Sequence, residues 1–260
     1  MLPNIDTTNF IGRKEKLLAI KRYGGFLKML YRTNLWTHTH RMSWMVEDVG
    51  SAVQKIYPHF DIELARTMAF VHDDIEIIIG DIMFGAKLNM SDTEITALHQ
   101  EELAAVRNLA TTYPKTINGF PYEALMNRYE TLAPDDIEAH VVKYIDKFDA
   151  IGESAHELFA GNTLFIHGYS PETLAPLDSL MTFFDHVYTT HPTLKPLKSL
   201  HPLFGSVPLP DTADIAANGK LHTKETLSKH TTYTPYNTWK KITLSYGGTF
   251  GKQMLLDKKE

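Results

Sequence analysis

The sequence predicts an all-α protein, with a helical bundle over residues 1–165 and a helical and irregular C-terminal extension over residues 166–260. Three observations favour this fold. Apolar residues recur at helical spacing along the first 160 residues, capping residues and prolines separate the segments, and no segment there alternates apolar and polar side chains. We expect the extension to pack on the bundle, and the sequence assigns it no role.

Composition restricts the possible functions. The 260 residues are enough for a substantial core, and 43% hydrophobic with 22% charged residues is typical of a soluble globular protein. A net charge of −5 argues against a dedicated nucleic-acid binder, and the lack of cysteine excludes disulfides, zinc–thiolate sites and thiol nucleophiles. The first residues lack a signal-peptide pattern and no apolar run could span a membrane, so we expect a cytoplasmic protein.

Two helices are predicted in the first third of the chain. The first covers residues 38–57, where apolar side chains recur along one face, and Pro58 follows it. The second begins after Asp61, a favourable N-cap, and runs over residues 62–79 until Gly80 ends it.

Two more helices are predicted between residues 91 and 131. The segment Ser91–Glu94 is a capping box and opens a third helix, which must stop before Pro114. Pro121 suits the first turn of a fourth helix, which runs to about Thr131.

A fifth helix follows Pro134 and two acidic residues, which suit a helix N-terminus, and it ends near residues 161–162. A further helix is predicted over Glu172–Thr189. Prolines and histidines accumulate after residue 190, where we expect irregular structure.

The segment that carries chemistry is "HDDIEIIIGDI", which begins at His72. His72, Asp73 and Glu76 lie within five residues, and on a helix His72 and Glu76 share one face, one turn apart. A histidine with a carboxylate suits Mn²⁺, Fe²⁺, Co²⁺ or Mg²⁺. Two adjacent ligands cannot hold a catalytic metal alone, so we expect further ligands from elsewhere in the chain.

The predicted further ligands are His40 and Asp146. His40 lies in the first turn of its helix, opposite the apolar stripe, and nearby His38 is the alternative. Asp146 lies in the middle of the fifth helix, which is apolar on two sides. We therefore expect its carboxylate to be buried and to need a partner.

This set of residues resembles a known signature. The pattern H…HD…D, at His40, His72-Asp73 and Asp146, is similar to that of the HD-domain metal-dependent phosphohydrolases. The glutamate and Gly-Asp pair of "HDDIEIIIGDI" resemble the HD-x-x-E-x-x-x-G-D segment of the bacterial 5′-deoxynucleotidase branch, and "VVKYIDKFDA" resembles its later Asp-bearing helix. The resemblance covers about residues 30–162 and implies an HD-type helical bundle.

The resemblance implies one divalent ion, which could be Mn, Co, Fe, Mg or Zn. Its ligands would be His40, His72, Asp73 and Asp146. His40 is preferred to His38 because "HRMSWMV" matches the family's helical register. Glu76 would orient or deprotonate the attacking water, and Asp81 would act near the phosphate or the leaving oxygen.

A phosphate also needs cationic donors, for which Arg32 and Lys87 are the candidates. In the deoxynucleotidase branch, an Arg-Trp pair upstream of the first histidine reads the sugar. The nearest pair here, Arg22-Tyr23, lies out of the expected register, which leaves the sugar preference open.

The expected function is a metal-dependent phosphomonoesterase that converts a nucleoside 5′-monophosphate, most simply a deoxynucleotide, into nucleoside and phosphate. One alternative is a nucleoside triphosphate hydrolase or phosphodiesterase on the same fold. The other is a non-catalytic nucleotide-binding regulatory protein. The expected partner is a small nucleotide, and a homodimer is implied only by the family.

Overall fold

The computed structural model describes residues 5–22, 31–82, 87, 90–159, 185–200 and 234–250. The chain forms two compact units, one of residues 1–26 and 33–143 and the other of residues 27–32 and 144–260. The predicted all-α class is confirmed, since the strands of the described residues are only two short antiparallel pairs. The expected domain boundary at residues 165–166 lies outside the described residues.

The described residues contain α-helices and two 3₁₀ segments. The α-helices include α1 Arg13–Ala19, α2 Leu35–Gln54, α3 Ile62–Val71, α4 Glu76–Ile79, α5 Asp92–Thr112, α6 Tyr122–Thr131, α7 Ile137–Phe159 and α8 Thr234–Ser245. The 3₁₀ segments are His72–Ile75 and Pro192–Leu200. Helices were predicted from the sequence in the α2, α3, α5, α6 and α7 segments, whereas α1 and α8 were not predicted.

At three helix N-termini, a side chain accepts a hydrogen bond from a backbone N–H group that the helix leaves unpaired. The Asn34 side chain accepts a hydrogen bond from the backbone N–H of Thr37 at 2.9 Å, so α2 begins three residues earlier than predicted. Asp61 caps α3 as predicted, accepting from the N–H of Leu64 at 3.0 Å. The capping box predicted at Ser91–Glu94 is present at the start of α5.

Helices α2 and α3 form an antiparallel pair. Near the loop that joins the two helices, Gly50 of α2 lies directly against the side chain of Ile62. In the middle, the Ser43 hydroxyl donates to the carbonyl of Arg66. The apolar faces meet in the core. The fully buried apolar side chains on these helices are Leu35, Met42, Val46, Val53, Ala65, Met68, Ala69 and Val71.

The predicted helix over residues 62–79 is interrupted. It ends as an α-helix at Val71, continues as the 3₁₀ turn His72–Ile75, and resumes as the four-residue α4. A 3₁₀ turn has three residues per turn, so successive side chains separate by about 120° instead of about 100°. Gly80 then ends α4 with a φ of 80°, a conformation that glycine adopts without strain.

The first unit also contains a short hairpin. Strands β2 (Thr116–Ile117) and β3 (Phe120–Pro121) pair antiparallel, joined by Asn118 and Gly119 at φ of 52° and 84°. Asn-Gly is the preferred pair for such a two-residue turn, because both positions need positive φ.

Four apolar side chains of the second unit are fully buried: Leu194 and Leu197 of the 3₁₀ segment, and Trp239 and Ile242 of α8. Strands β1 (Tyr31–Arg32) and β4 (Thr249–Phe250) pair antiparallel.

The helix predicted over Glu172–Thr189 lies outside the described residues as far as residue 184, and residues 185–190 are helical. None of the described helices is long and apolar enough to cross a bilayer.

Candidate metal centre

Three side chains of the first unit converge at one point. His38 comes from α2, and His72 and Asp73 come from the 3₁₀ turn that follows α3. The His38 Nε2 atom lies 3.4 Å from His72 Nε2 and 3.2 Å from an oxygen of Asp73, whose other oxygen lies 3.0 Å from His72 Nε2. One ligand atom from each residue lies within 4.8 Å of the others.

The hydrogen bonding of His72 directs a lone pair into this cluster. Its Nδ1 lies 2.8 Å from the carbonyl oxygen of Ala69. A carbonyl oxygen can only accept a hydrogen bond, so Nδ1 carries the proton. In the neutral ring Nε2 is then the unprotonated nitrogen, and it faces both a carboxylate oxygen of Asp73 and Nε2 of His38. Two imidazole nitrogens and a carboxylate oxygen converge on one point, and this donor set fits a metal ion.

Burial and charge agree with that fit. His38 and His72 are fully buried, and the Asp73 side chain is 13% exposed. Burial alone would raise the pKa of Asp73, but the two histidines hold it well below its usual range, which keeps the carboxylate ionised. Two imidazoles and a carboxylate suit Zn²⁺, Mn²⁺, Co²⁺ or Fe²⁺.

Glu76 follows the cluster at the start of α4. Its Oε2 atom is buried and has no hydrogen-bond partner among the described residues. Burial raises the pKa of Glu76 well above its usual range, and the negative charges of Asp73 and Asp81 raise it further. A buried carboxylate with an unused oxygen and a raised pKa is suited to accept a proton.

Asp81 is half-buried and lies directly after Gly80, the glycine that ends α4. Its negative charge, like that of Asp73, adds to the effect of burial in raising the pKa of Glu76. The structure therefore brings Glu76 and Asp81 to the same region as the cluster.

His40, the first ligand preferred from the sequence, has different surroundings. Its Nδ1 lies 2.7 Å from the carbonyl oxygen of Trp36, and its ring packs edge-on against the rings of Trp36 and Phe70. Burial lowers its pKa to about 3. Residues two apart on an α-helix point about 200° apart. The structure thus places His38, the alternative, and not His40 beside His72 and Asp73.

Asp146, the fourth predicted ligand, lies on the part of α7 that belongs to the second unit. It is buried, as the sequence analysis expected, and the Nζ atom of Lys147 lies 2.8 Å from its Oδ2.

The two predicted phosphate-binding cations are placed as follows. Lys87 Nζ donates to Oε1 of the buried Glu102 at 2.9 Å, so its charge already has a protein partner. Arg32 lies in β1 of the second unit, in register with Thr249.

Arg22 is the cation that the structure places beside the cluster. One of its guanidinium nitrogens lies 3.7 Å from Asp73 Oδ2, and its side chain is 12% exposed. Its backbone N–H donates to the carbonyl of Thr33 at 3.2 Å, which holds the residue against the start of α2. In the sequence, the basic-aromatic pair Arg22-Tyr23 was the nearest match to the family's Arg-Trp pair. Only its displaced register argued against a role in substrate binding.

A family model described as 5′-deoxynucleotidase YfbR-like matches residues 9–185, more than half of the chain. The matched segment contains the cluster, Glu76, Asp81 and Asp146. Searches of curated proteins and of solved structures found no significant match. The chain belongs to the YfbR-like 5′-deoxynucleotidase family and is accordingly an HD-type hydrolase.

Proposed function

We propose that this protein is a divalent-metal-dependent phosphomonoesterase that hydrolyses nucleoside 5′-monophosphates, deoxynucleotides among them. The observation that carries the proposal is the convergence of His38, His72 and Asp73, three buried donors directed at one point. Membership of a 5′-deoxynucleotidase family supports the substrate class.

The residues that would hold the cation are His38, His72 and Asp73, with Asp146 as a further ligand that the family resemblance implies. When bound, a divalent cation supplies positive charge that offsets the phosphate oxygens and lowers the pKa of a coordinated water. The hydrogen bond from His72 Nδ1 to Ala69 keeps the ligand tautomer in place.

Glu76 is the proposed base. Its unpartnered Oε2 takes a proton from the water that attacks phosphorus, and the bond from phosphorus to the 5′ oxygen breaks. Asp81, protonated at that stage, gives its proton to the leaving 5′ oxygen. The products are the nucleoside hydroxyl and phosphate, and proton exchange with solvent restores both carboxyl groups.

Arg22 is the proposed phosphate-binding cation. Its guanidinium lies beside Asp73 and is partly exposed, and a guanidinium is suited to bind phosphate oxygens in a bidentate geometry. Arg32 and Lys87 stay predictions for the same role. Lys87 is already paired with Glu102, so it would bind a phosphate in competition with that carboxylate.

The test is phosphate release from ribo- and deoxyribonucleoside mono-, di- and triphosphates by metal-stripped protein, with Mg²⁺, Mn²⁺ or Co²⁺ added back. Asp73→Asn is measured alongside. We expect metal-dependent release from monophosphates that Asp73→Asn loses. Release from triphosphates alone would replace the proposed substrate, and equal release without metal would overturn the proposed mechanism.

A further inference from the structure

Asp74, the residue after the proposed ligand Asp73, is fully buried and points to a different set of partners. The Nε atom of Arg13 donates to both carboxylate oxygens of Asp74, at 2.9 and 2.7 Å. Arg13 lies in α1, 61 residues away along the chain, and is itself only 1% exposed. A charged pair is therefore enclosed directly behind the proposed metal centre.

A second helix contributes to the same carboxylate. The hydroxyl of Tyr122, the first residue of α6, donates to Asp74 Oδ2 at 2.7 Å. Burial and the nearby Asp74 charge raise the pKa of Tyr122, so the phenol stays protonated and remains a donor. Asp74 is consequently held from two sides by groups that the chain brings together from α1 and α6.

Arg13 also fixes the end of α3. Its second terminal nitrogen donates at 2.6 Å to the carbonyl of Phe70, close to the point where the α-helix changes to the 3₁₀ turn. An arginine that caps a helix C-terminus satisfies carbonyls that the helix leaves unpaired. Arg13 thus holds both the last turn of α3 and the third residue of the 3₁₀ turn.

The 3₁₀ turn explains why this attachment matters to the centre. With about 120° between neighbours, His72, Asp73 and Asp74 point in three directions around the turn. His72 and Asp73 reach inward to His38, and Asp74 reaches the Arg13 and Tyr122 side. A rotation of the turn that displaced Asp74 would displace both ligands with it.

Stability alone does not account for this pair. Burying two charges costs several kcal/mol per ion before pairing, and apolar replacements of similar size are often as stable. Arg13 also keeps one terminal nitrogen, Nη1, buried without a hydrogen-bond partner among the described residues. What the pair provides is a defined orientation of the turn.

We propose that Arg13 and Tyr122 are positioning residues for the metal centre: they hold Asp74, and through it they orient the 3₁₀ turn so that His72 and Asp73 converge on His38. This inference rests on the proposed function in one respect, namely that the cluster binds a divalent cation. It assigns a role to residues outside the family's H…HD…D pattern.

The chain offers a matched control in Tyr113. Its ring lies 6.0 Å from that of Tyr122, in the same buried aromatic group with Phe10. Its hydroxyl is buried, and in the described part of the chain it has no hydrogen-bond partner. Removing this hydroxyl therefore makes the same chemical change as Tyr122→Phe without touching Asp74.

The experiment measures Co²⁺ affinity, by competition with a chelator, and the visible Co²⁺ spectrum in metal-stripped full-length protein. The variants are Tyr122→Phe, Asp74→Asn and Tyr113→Phe, each kept at a temperature where circular dichroism shows it folded. We expect Tyr122→Phe and Asp74→Asn to weaken binding by about tenfold or more, the range found for groups that orient ligands, and to alter the spectrum. Tyr113→Phe should match the wild type.

Equal affinity of Tyr122→Phe and the wild type would overturn the positioning role, as would an equal loss in Tyr113→Phe. Those results leave the proposed function intact, because the wild type still binds the cation. A wild type that binds no Co²⁺ would overturn the proposed function and the positioning role together. If Asp74→Asn does not fold, the two tyrosine variants decide the matter.

Discussion

The Nε2 atoms of His38 and His72 lie 3.4 Å apart, although the two residues are 34 positions apart in the chain. The antiparallel packing of α2 on α3 brings them together. At the other end of the same pair, Gly50 of α2 lies against Ile62 of α3. The spacing of the two helices therefore sets the distance between the two histidines.

Gly50→Ala tests this spacing. A Cβ at Gly50 would lie 2.8 Å from two side-chain carbons of Ile62, so the helices must separate or Ile62 must move. Overpacking of this kind costs about 1–3 kcal/mol, and the better helix propensity of alanine returns only about 1 kcal/mol. We expect a lower Tm in thermal unfolding.

The control for Gly50→Ala is the same substitution in an Ile62→Ala background, where the obstructing carbons are absent. There the change should be neutral or stabilising. The same loss of Tm in both backgrounds would show that the close approach is not the cause.

A pair of histidine variants separates the two candidates for the first ligand. His38→Ala removes a donor from the cluster and should reduce Mn²⁺ affinity by at least about tenfold, as losses around metal sites do. His40→Phe keeps a ring between Trp36 and Phe70 and should bind Mn²⁺ like the wild type. Isothermal titration would measure both, and the reverse order of effects would restore His40 as the ligand.

Glu76→Gln tests the proposed base. The amide keeps the shape of the side chain but cannot take a proton, so kcat should fall by about 10²–10⁴-fold while Mn²⁺ affinity changes little. The metal-free variant should be at least as stable as the wild type, because the substitution removes a buried carboxylate with an unpartnered oxygen.

The comparison variant for Glu76→Gln is Glu63→Gln, which changes an exposed carboxylate on α3 and should leave kcat unaltered. A kcat for Glu76→Gln within about twofold of the wild type would remove Glu76 from the mechanism.

Asp136, just before α7, gives a prediction about pH. Burial tends to raise its pKa, but hydrogen bonds from Arg128 at 2.6 and 2.7 Å and from the N–H of Ala139 lower it overall. A carboxyl with a lowered pKa stabilises the fold above its unfolded value of about 4, and this stabilisation is lost as the pH falls through the folded value.

Asp136→Asn keeps the cap and removes the charge, so it should lower Tm at pH 7 by about 2–4 °C, the shift that corresponds to roughly 1 kcal/mol in a chain of this size. The difference in Tm should become smaller as the pH falls from 7 to 3, because protonation of Asp136 in the wild type removes the same charge. A difference that is the same at both pH values would show that the charge of Asp136 is not responsible.

Local signals in the sequence were sufficient for most of the first unit. Asp61 and the capping box at Ser91–Glu94 form hydrogen bonds to residues only three positions away in the chain. The structure shows both caps. The residues His72, Asp73 and Glu76 are close in sequence, so their grouping was also predictable.

The remaining features depend on contacts between distant residues. Helical spacing predicted that His40 lies opposite the apolar stripe of its helix. Both faces of this part of α2 are buried, so position relative to the stripe did not distinguish His40 from His38 as a ligand. The groups that hydrogen-bond the end of α3 and Asp74 of the 3₁₀ turn come from Arg13 and Tyr122, which lie far from it in the chain. No local pattern pairs such residues.

The most direct test of the central claim is the anomalous scattering of Zn²⁺ in crystals of the full chain. We predict a peak about 2.0–2.2 Å from His38 Nε2, from His72 Nε2 and from an oxygen of Asp73. A fully loaded crystal whose zinc peaks lie away from these three residues, or beside His40, would contradict the account.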